Sequence, residues 1–538
     1  MHRCLSIPEI IHLICDEISN KKKANSSLLA LAYTCRTFLE PALNLVWYEL
    51  ENIVPLVKCL SDDVWEERGE QIKYLRLKMP IEPSDFERFN FYACRVRILG
   101  MTGAKKYGTV YAIDREILYA LKLATKSRCI FPRLQRLGWD SLDDTTFSTI
   151  HLFLAPTLST LRISFQGSPA IRLSLFPTLS EICPLITHIE FAGPPSLPYS
   201  AHDQRREVII SVSSVLFSWK GLISVCVDEI TTEALVELST SSTIHTFRIR
   251  RNIDDVSLRL YLSLRPQTSG FHFLRDLDIC STTIESCNAL LPIIASEVLQ
   301  SVKVSVRHRS SPSAWKKFFA DLAVHLPISS LTELCVQDVV DMSHRIHPII
   351  LPAFRFDTIL PVLYFRNLTV LCIQPSSGLI LGNEDIFKMS LAWPRMRYIS
   401  LGTAFRSSWG SSVTLNGLLH FAARCHHLEF LAIIIDTTVL PIKVDGKIMK
   451  GHSLKTLRVG DSPITNPIVV AEFIWDVFPG LEYLNFFDPE GYIARSSAAA
   501  LISTSSFHRG WREVDRCLKV FRSIRSQQEI YWKSTSKP

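Results

Sequence analysis

The chain has 538 residues, 47% of them hydrophobic and 21% charged, and a formal net charge of +7. This composition excludes a disordered chain and provides for a large core, while the mild charge, with no basic stripe, excludes a nucleic-acid surface. The longest apolar runs, such as residues 430–435, fall far short of the roughly 18 residues a membrane span needs, so a soluble protein without a membrane partner is expected.

The first element is a helix from Pro8 to about Ile18, since Pro and an acidic residue (Glu9) are both favoured in a first turn. Ile7, Ile10, Ile14 and Ile18 share a face, with Ile11 beside it. Glu9 and Asp16 interrupt the apolar pattern, and the basic–apolar–small order of an export signal is missing. Residence in the cytoplasm, the nucleus or both is therefore expected. Lys21, Lys22 and Lys23 read as a solvated loop, with a nuclear-import patch as the other reading. A second helix from Ser26 or Ser27 carries Leu28, Leu31, Cys35 and Phe38 on one stripe, flanked by Leu29 and Ala32. Pro41 is expected to break or restart it, and Ala42, Leu43, Val46 and Trp47 form a third stripe. These roughly 45 residues hold more apolar surface than they can bury among themselves, so a partner is the natural inference.

From Ile72 onward the texture changes. The pattern apolar-x-x-apolar-x-apolar recurs as IKYLRL (Ile72), VRILGM (Val96), LQRLGW (Leu134), LSTLRI (Leu158), ITHIEF (Ile186), LISVCV (Leu222), IHTFRI (Ile244), LRDLDI (Leu274), LQSVKV (Leu299), LTELCV (Leu331), LTVLCI (Leu368), MRYISL (Met396), LEFLAI (Leu428), LKTLRV (Leu454) and LEYLNF (Leu481). Starts lie 22 to 38 residues apart, around the leucine-rich-repeat period of roughly 20–29 residues. The last three positions alternate as a short strand does. Arg162, Glu190, Asp278, Lys303, Arg458 and Asn485 take the outward slot.

Helical patterns fill the gaps. TVYAIDREILYALKLA (Thr109–Ala124) puts Ile113, Ile117, Leu121 and Ala124 on one face. Asp203, Thr283 and Asn466 stand as helix starts, the last followed by Pro467. Each unit reads strand, turn, helix. Stacked, the units give an α/β solenoid with a curved parallel sheet inside and helices outside. A doubly wound enzyme also alternates strands and helices, but its glycine-rich phosphate loop is missing among 20 glycines. Residues 510–532 form a basic amphipathic helix with Trp511, Val514, Leu518 and Phe521 on one face. It is read as the cap of the stack, with a membrane-surface or partner helix as the other reading. The domains are thus residues 1–55, 56–510 and 511–538.

Motifs for chemistry are missing: no GxSxG, HExxH or EF-hand loop occurs. Arg424-Cys425-His426-His427 reads as a helix end, His344 and His347 as loop residues, and the pairs Asp143-Asp144 and Asp254-Asp255 as helix caps. No catalytic residue, cofactor or metal site is expected. The 14 cysteines form no CxxC and read as buried thiols in a reducing compartment.

The run IPEIIHLICDEI, then SLLALAYTCRTF, then EPALNLVWYEL resembles an F-box domain of the kind found in fungal F-box proteins with degenerate leucine-rich repeats. Pro8, Glu9, Ile10, Cys35, Arg36, Phe38 and Trp47 carry the match, with Ile7-Pro8 where Leu-Pro is typical and a longer first loop. The resemblance implies a non-catalytic substrate-recognition subunit of an SCF-type cullin–RING ubiquitin ligase. It implies docking of a Skp-type adaptor through Ile7, Pro8, Glu9, Ile10, Ile14, Leu28, Leu31 and Phe38, with an unidentified protein substrate held on the repeats. The alternatives are a repeat scaffold that recruits no ligase and a receptor whose pocket takes a small bridging molecule. Burial of Ile7, Ile10 and Leu28 against the repeats would favour the scaffold.

Overall fold

The computed structural model describes residues 7–20, 24–69, 72–101, 110–125, 129–140, 144–164, 169–193, 202–265, 269–339, 352–404, 411–439, 441, 453–486 and 507–535. The chain divides into two compact units, residues 1–234 and 235–538.

The first unit opens with three helices, α1 (Pro8–Ser19), α2 (Ala24–Ala32) and α3 (Arg36–Val46), each packed on the other two. The break after α2 falls earlier than the proline suggests. Tyr33 N–H and Thr34 N–H donate to the Leu29 and Leu31 carbonyls at 3.1 and 3.0 Å, and Cys35 takes the extended cap position of α3. Pro41 then lies inside α3. An interior proline costs about 3 kcal/mol, but α3 buries Phe38, Ala42 and Leu43, and large apolar side chains return about 1.5–3 kcal/mol each. Burial wins over the proline.

A parallel sheet follows. Among the described residues of this unit its strands are Glu49–Leu50, Ile98–Met101, Arg136–Trp139, Thr160–Ser164, His188–Ala192 and Ser224–Val227, paired in chain order. Two expectations are corrected here. IKYLRL (Ile72–Leu77) lies outside this ladder, in a small sheet antiparallel to Trp65–Arg68 and parallel to Val110–Ile113. Apolar alternation marks any half-buried strand and does not say which sheet receives it. The segment Thr109–Ala124 is also not one helix: Val110–Ile113 is a strand, and Asp114 then caps the helix Arg115–Ala124, accepting from Glu116 N–H at 3.3 Å. The Val-Tyr-Ala-Ile run suits a strand, and Asp114 is the start signal that ends it.

In the second unit the described strands Thr246–Ile249, Asp276–Ser281, Ser301–Val306, Glu333–Asp338, Val370–Gln374, Tyr398–Leu401, Phe430–Ile433, Thr456–Gly460 and Tyr483–Phe486 pair in parallel, again in chain order. A doubly wound sheet reverses strand order at a switch point; within each unit this order does not. Helices Asp255–Leu264, Ile284–Leu290 and Pro312–His325 pack each on the next, as do Asn383–Ala392, Leu415–Arg424 and Pro467–Val477. Their starts follow the sequence signals: Asp254, Thr283 and Asn466 accept from Ser257, Ser286 and Val469 N–H at 3.1, 3.3 and 3.3 Å.

The register explains why the repeat is legible. Within each unit the third position of a ladder pattern pairs with the third position of the next: Ile98 with Arg136, Arg136 with Thr160, Thr160 with His188, and in the second unit Ser301 with Glu333 and Glu333 with Val370. The leading residue of each ladder repeat, from Val96 and Leu134 to Leu454 and Leu481, is buried, as is the residue three positions on. Tight turns deliver those leading residues: Leu134, Met396 and Leu481 N–H donate to the Phe131, Trp393 and Phe478 carbonyls at 3.1, 3.3 and 3.0 Å.

The last described helix, His508–Thr535, starts slightly before the expected boundary and packs on Pro467–Val477 and on the last strand. Trp511 is buried and its indole N–H donates to the Ser462 carbonyl at 2.8 Å. Val514 and Leu518 are buried beside it. No described helix is long and apolar enough to cross a membrane.

Candidate partner-docking surface on the N-terminal helices

The three helices share a core of their own. Ile11 and Cys15 of α1, Leu28 and Ala32 of α2, and Phe38 and Ala42 of α3 form one buried cluster. Ile14, Ile18, Leu31, Cys35, Leu45 and Val46 pack on it as partly buried neighbours. The spacing is helical: Ile11 and Cys15, Leu28 and Ala32, and Phe38 and Ala42 are each four residues apart. Burial pushes the Cys15 thiol up from its ordinary pKa, with Asp16 adding to the rise.

Of the residues assigned to adaptor docking, Ile7, Pro8 and Glu9 are exposed and Ile10 is half-buried. Ile14 and Leu31 are half-buried against the cluster. Leu28, 1% exposed, and Phe38 are enclosed in it. This corrects their assignment: both side chains are spent on holding the helices together. The reason is the phase of α2. Because that helix ends at Ala32, its inward pair is Leu28 and Ala32, and Leu29 turns outward. The exposed apolar side chains that sequence reasoning passed over are Leu13 (67% exposed), Tyr33 (88%), Leu29 and Leu39. Tyr33 was legible only if the helix end had been placed at Ala32, because it stands in the turn beyond.

Through α3 and its C-cap residue Trp47 the helices are tied to the helix Phe86–Ala93 and the turn that follows it. Arg95 pairs with Glu40 at 2.7 Å, and Trp47 stacks on Tyr92 with ring centroids 4.4 Å apart. An open pocket of about 650 Å³ lies where α2 and the end of α3 meet residues 49–55. Asn25, Trp47, Glu49, Glu51 and Asn52 are among its described lining residues. Leu28 is not part of a repeat core, since its cluster contains only residues of α1, α2 and α3, and Ile7 is exposed.

The outward strand slots form a second polar surface. In the first unit Arg162 pairs with Glu190 at 3.1 Å and approaches Asp140 at 3.5 Å. In the second, Lys303 pairs with Glu333 at 3.0 Å. Asp278, beside Arg248 and Lys303, is nonetheless held above the ordinary carboxylate range, because burial outweighs the neighbouring cations. Tyr398 and Phe430 are register partners and stack at 4.2 Å, with 6° between planes. This aromatic pair was missed because it occupies the third pattern position, and the reading followed the fifth.

The remaining motifs resolve into structure where they are described. Asp144 starts the helix Asp144–Phe147 and pairs with the buried Arg172 at 3.3 Å. Cys425 ends the helix Leu415–Arg424, its thiol donating to the Trp393 carbonyl at 3.4 Å, while His426 and His427 are exposed. Among the described residues no group of three or more His, Cys, Asp or Glu side chains could hold a metal ion. The Lys21–Lys23 run, Asp143, His344 and His347 lie outside the described residues. The described cysteines are all free thiols. Buried thiols were expected throughout; that holds for Cys15, Cys59, Cys183, Cys226, Cys287 and Cys425, whereas Cys35, Cys94, Cys129, Cys280, Cys335, Cys372 and Cys517 are only half-buried. The strand slots explain part of the difference, since Cys335 and Cys372 take outward positions in the ladder.

Compared with models of known protein families and with curated protein sequences, the chain matches none.

Proposed function

We propose that this chain is a non-catalytic substrate receptor of an SCF-type ubiquitin ligase: the N-terminal helices dock a Skp-type adaptor, and the strand–helix repeats, a leucine-rich-repeat solenoid, hold a protein substrate. One observation carries the reading. The three helices close a small core of their own and still leave Ile7, 44% exposed, together with Leu13, Leu29, Tyr33 and Leu39, on the outside. Exposed apolar groups gathered on so small a domain are the kind that mark a protein interface, and their cover fits the F-box resemblance. The mixed ion pairs and the Tyr398–Phe430 stack on the strand slots support a protein ligand on the repeats. The chain would act by raising the effective concentration of its substrate beside the loaded conjugating enzyme.

The test is capture of a purified Skp-type adaptor by the full-length chain, next to an Ile7→Asp, Ile10→Asp variant. Leu28 is unsuitable as a probe, because a charge in the inner cluster unfolds the helices. Capture by the parent and loss in the folded variant is the expected result. No capture by the folded parent overturns the ligase reading and leaves a repeat scaffold.

A further inference from the structure

The register of the second unit joins two cysteines that lie far apart in sequence. Cys335, on Glu333–Asp338, is the direct partner of Cys372, on Val370–Gln374. Paired residues of neighbouring strands project on the same face, with backbones about 4.8 Å apart. A disulfide requires Cα atoms roughly 4.4–6.8 Å apart, and the strand spacing falls inside that range. Both residues are half-buried, hence reachable by a small solute. The Cys335 thiol donates to Glu333 Oε1 at 3.8 Å.

The surroundings give the two thiols different roles. The neighbouring Cys372 sulfur and burial keep the proton on Cys335, and Glu333 reinforces this, its Oε1 accepting from the Cys335 thiol at 3.8 Å. The neighbouring Cys335 thiol favours the thiolate on Cys372. Burial opposes its ionisation, but Gln374, Ser400 and the Arg458 guanidinium favour it, and its pKa is lowered. The thiolate is the reactive form of cysteine, so Cys372 is the nucleophile of the pair.

We propose that Cys372 and Cys335 are a peroxide-responsive thiol pair on the strand face, Cys372 reacting first and Cys335 resolving it into a disulfide. The oxidant is hydrogen peroxide. The Cys372 thiolate attacks one peroxide oxygen; an S–O bond forms, the O–O bond breaks, and the departing hydroxide takes a proton to become water. The product is a sulfenic acid on Cys372. The Cys335 sulfur then attacks the Cys372 sulfur. An S–S bond forms, the S–O bond breaks, and the leaving hydroxide combines with the Cys335 proton as a second water. Two electrons pass from the two sulfurs to one peroxide. The product ties together two adjacent strands beside Glu333 and Ser400, and thiol reductants reverse it.

The experiment uses the reduced full-length chain treated with hydrogen peroxide, then alkylation and peptide mapping without reductant. The expected result is a cross-linked pair of peptides holding Cys335 and Cys372, with both thiols lost to alkylation and restored by dithiothreitol. In a Cys335→Ser variant, dimedone should trap the sulfenic acid at Cys372. In Cys372→Ser, the cross-link should be lost and Cys335 should remain unlabelled. Both substitutions are close to isosteric, and thermal melts of the variants establish that they fold. Absence of the cross-link in the parent, with both thiols still alkylatable, overturns the proposal. Dimedone labelling of Cys335 in Cys372→Ser as strong as that of Cys372 in Cys335→Ser overturns the assigned roles.

Discussion

Six side chains close the inner cluster of the N-terminal helices, whereas in the ladder each repeat adds a buried leading residue and a buried strand residue from its own pattern. The helices reach a limit: once Ile11, Cys15, Leu28, Ala32, Phe38 and Ala42 are enclosed, Leu13 and Tyr33 have nowhere to go. The ladder has no such limit, because every strand supplies the surface on which the next is buried. A small bundle cannot enclose all its apolar side chains, whereas an open-ended array encloses those of its strand pattern and keeps Val256, Leu264 and Val324 of its helices outside. The last described helix covers apolar surface at the end of the array, with Trp511, Val514 and Leu518 turned inward.

The sharpest way to break this comparison is to remove one buried leucine from each region. Leu334 and Leu28 are both buried, and truncation of such a residue to alanine costs about 2–5 kcal/mol. In the ladder, Leu334→Ala should lower the denaturant midpoint of the second unit, because its neighbours on both sides lose contacts. Leu28→Ala should act locally. Amide exchange across residues 8–46 should accelerate while the ladder strands keep their protection. Equal loss of protection in the ladder would show that the helices do not hold a separate core.

How much of this was legible follows the same division. A zero-shift register repeats one sequence pattern in space, so the pattern could be read strand by strand, and Leu158, Leu299 and Leu428 were placed from spacing alone. The failure at Ile72–Leu77 has a physical origin: its alternation is the same, and only the pairing partner differs. The N-terminal helices were legible as helices, but their inward faces were not. The boundary at Ala32 sets the rotation of α2, and it was hidden by a proline that α3 absorbs. Contacts between distant residues, such as Cys335 with Cys372 or Arg95 with Glu40, leave no trace in local pattern.

A second prediction concerns how the repeats start their helices. Thr283 and Asn466 each accept one backbone N–H at the head of a helix. Replacing either with alanine should cost about 1 kcal/mol, read as a fall in the denaturant midpoint. Glycine at the same positions should cost only a few tenths, because the backbone stays free to cap itself with water. Equal losses for alanine and glycine would show that the lost side-chain bond, common to both, accounts for the whole effect and backbone freedom for none of it.

The smallest effect comes from an outward slot that is not truly outward. Asp278 sits on the strand Asp276–Ser281, half-buried, with Arg248, Lys303 and Arg250 pulling its pKa down and burial and Glu333 pushing it up. Burial prevails, so the folded chain holds the Asp278 proton more tightly than the unfolded chain does. Stability therefore falls as pH rises from the ordinary carboxylate range through the raised pKa, and above that pKa the full loss persists. Asp278→Asn removes the ionisable group while keeping a polar side chain of the same shape. At neutral pH the variant should be slightly more stable than the parent, and the difference should shrink as the pH falls through that window. The opposite sign at neutral pH would mean that the Arg248 and Lys303 attractions outweigh desolvation. The strand face would then behave like an exposed ion-pair surface, as it does at Arg162 and Glu190, and not like a partly dry one.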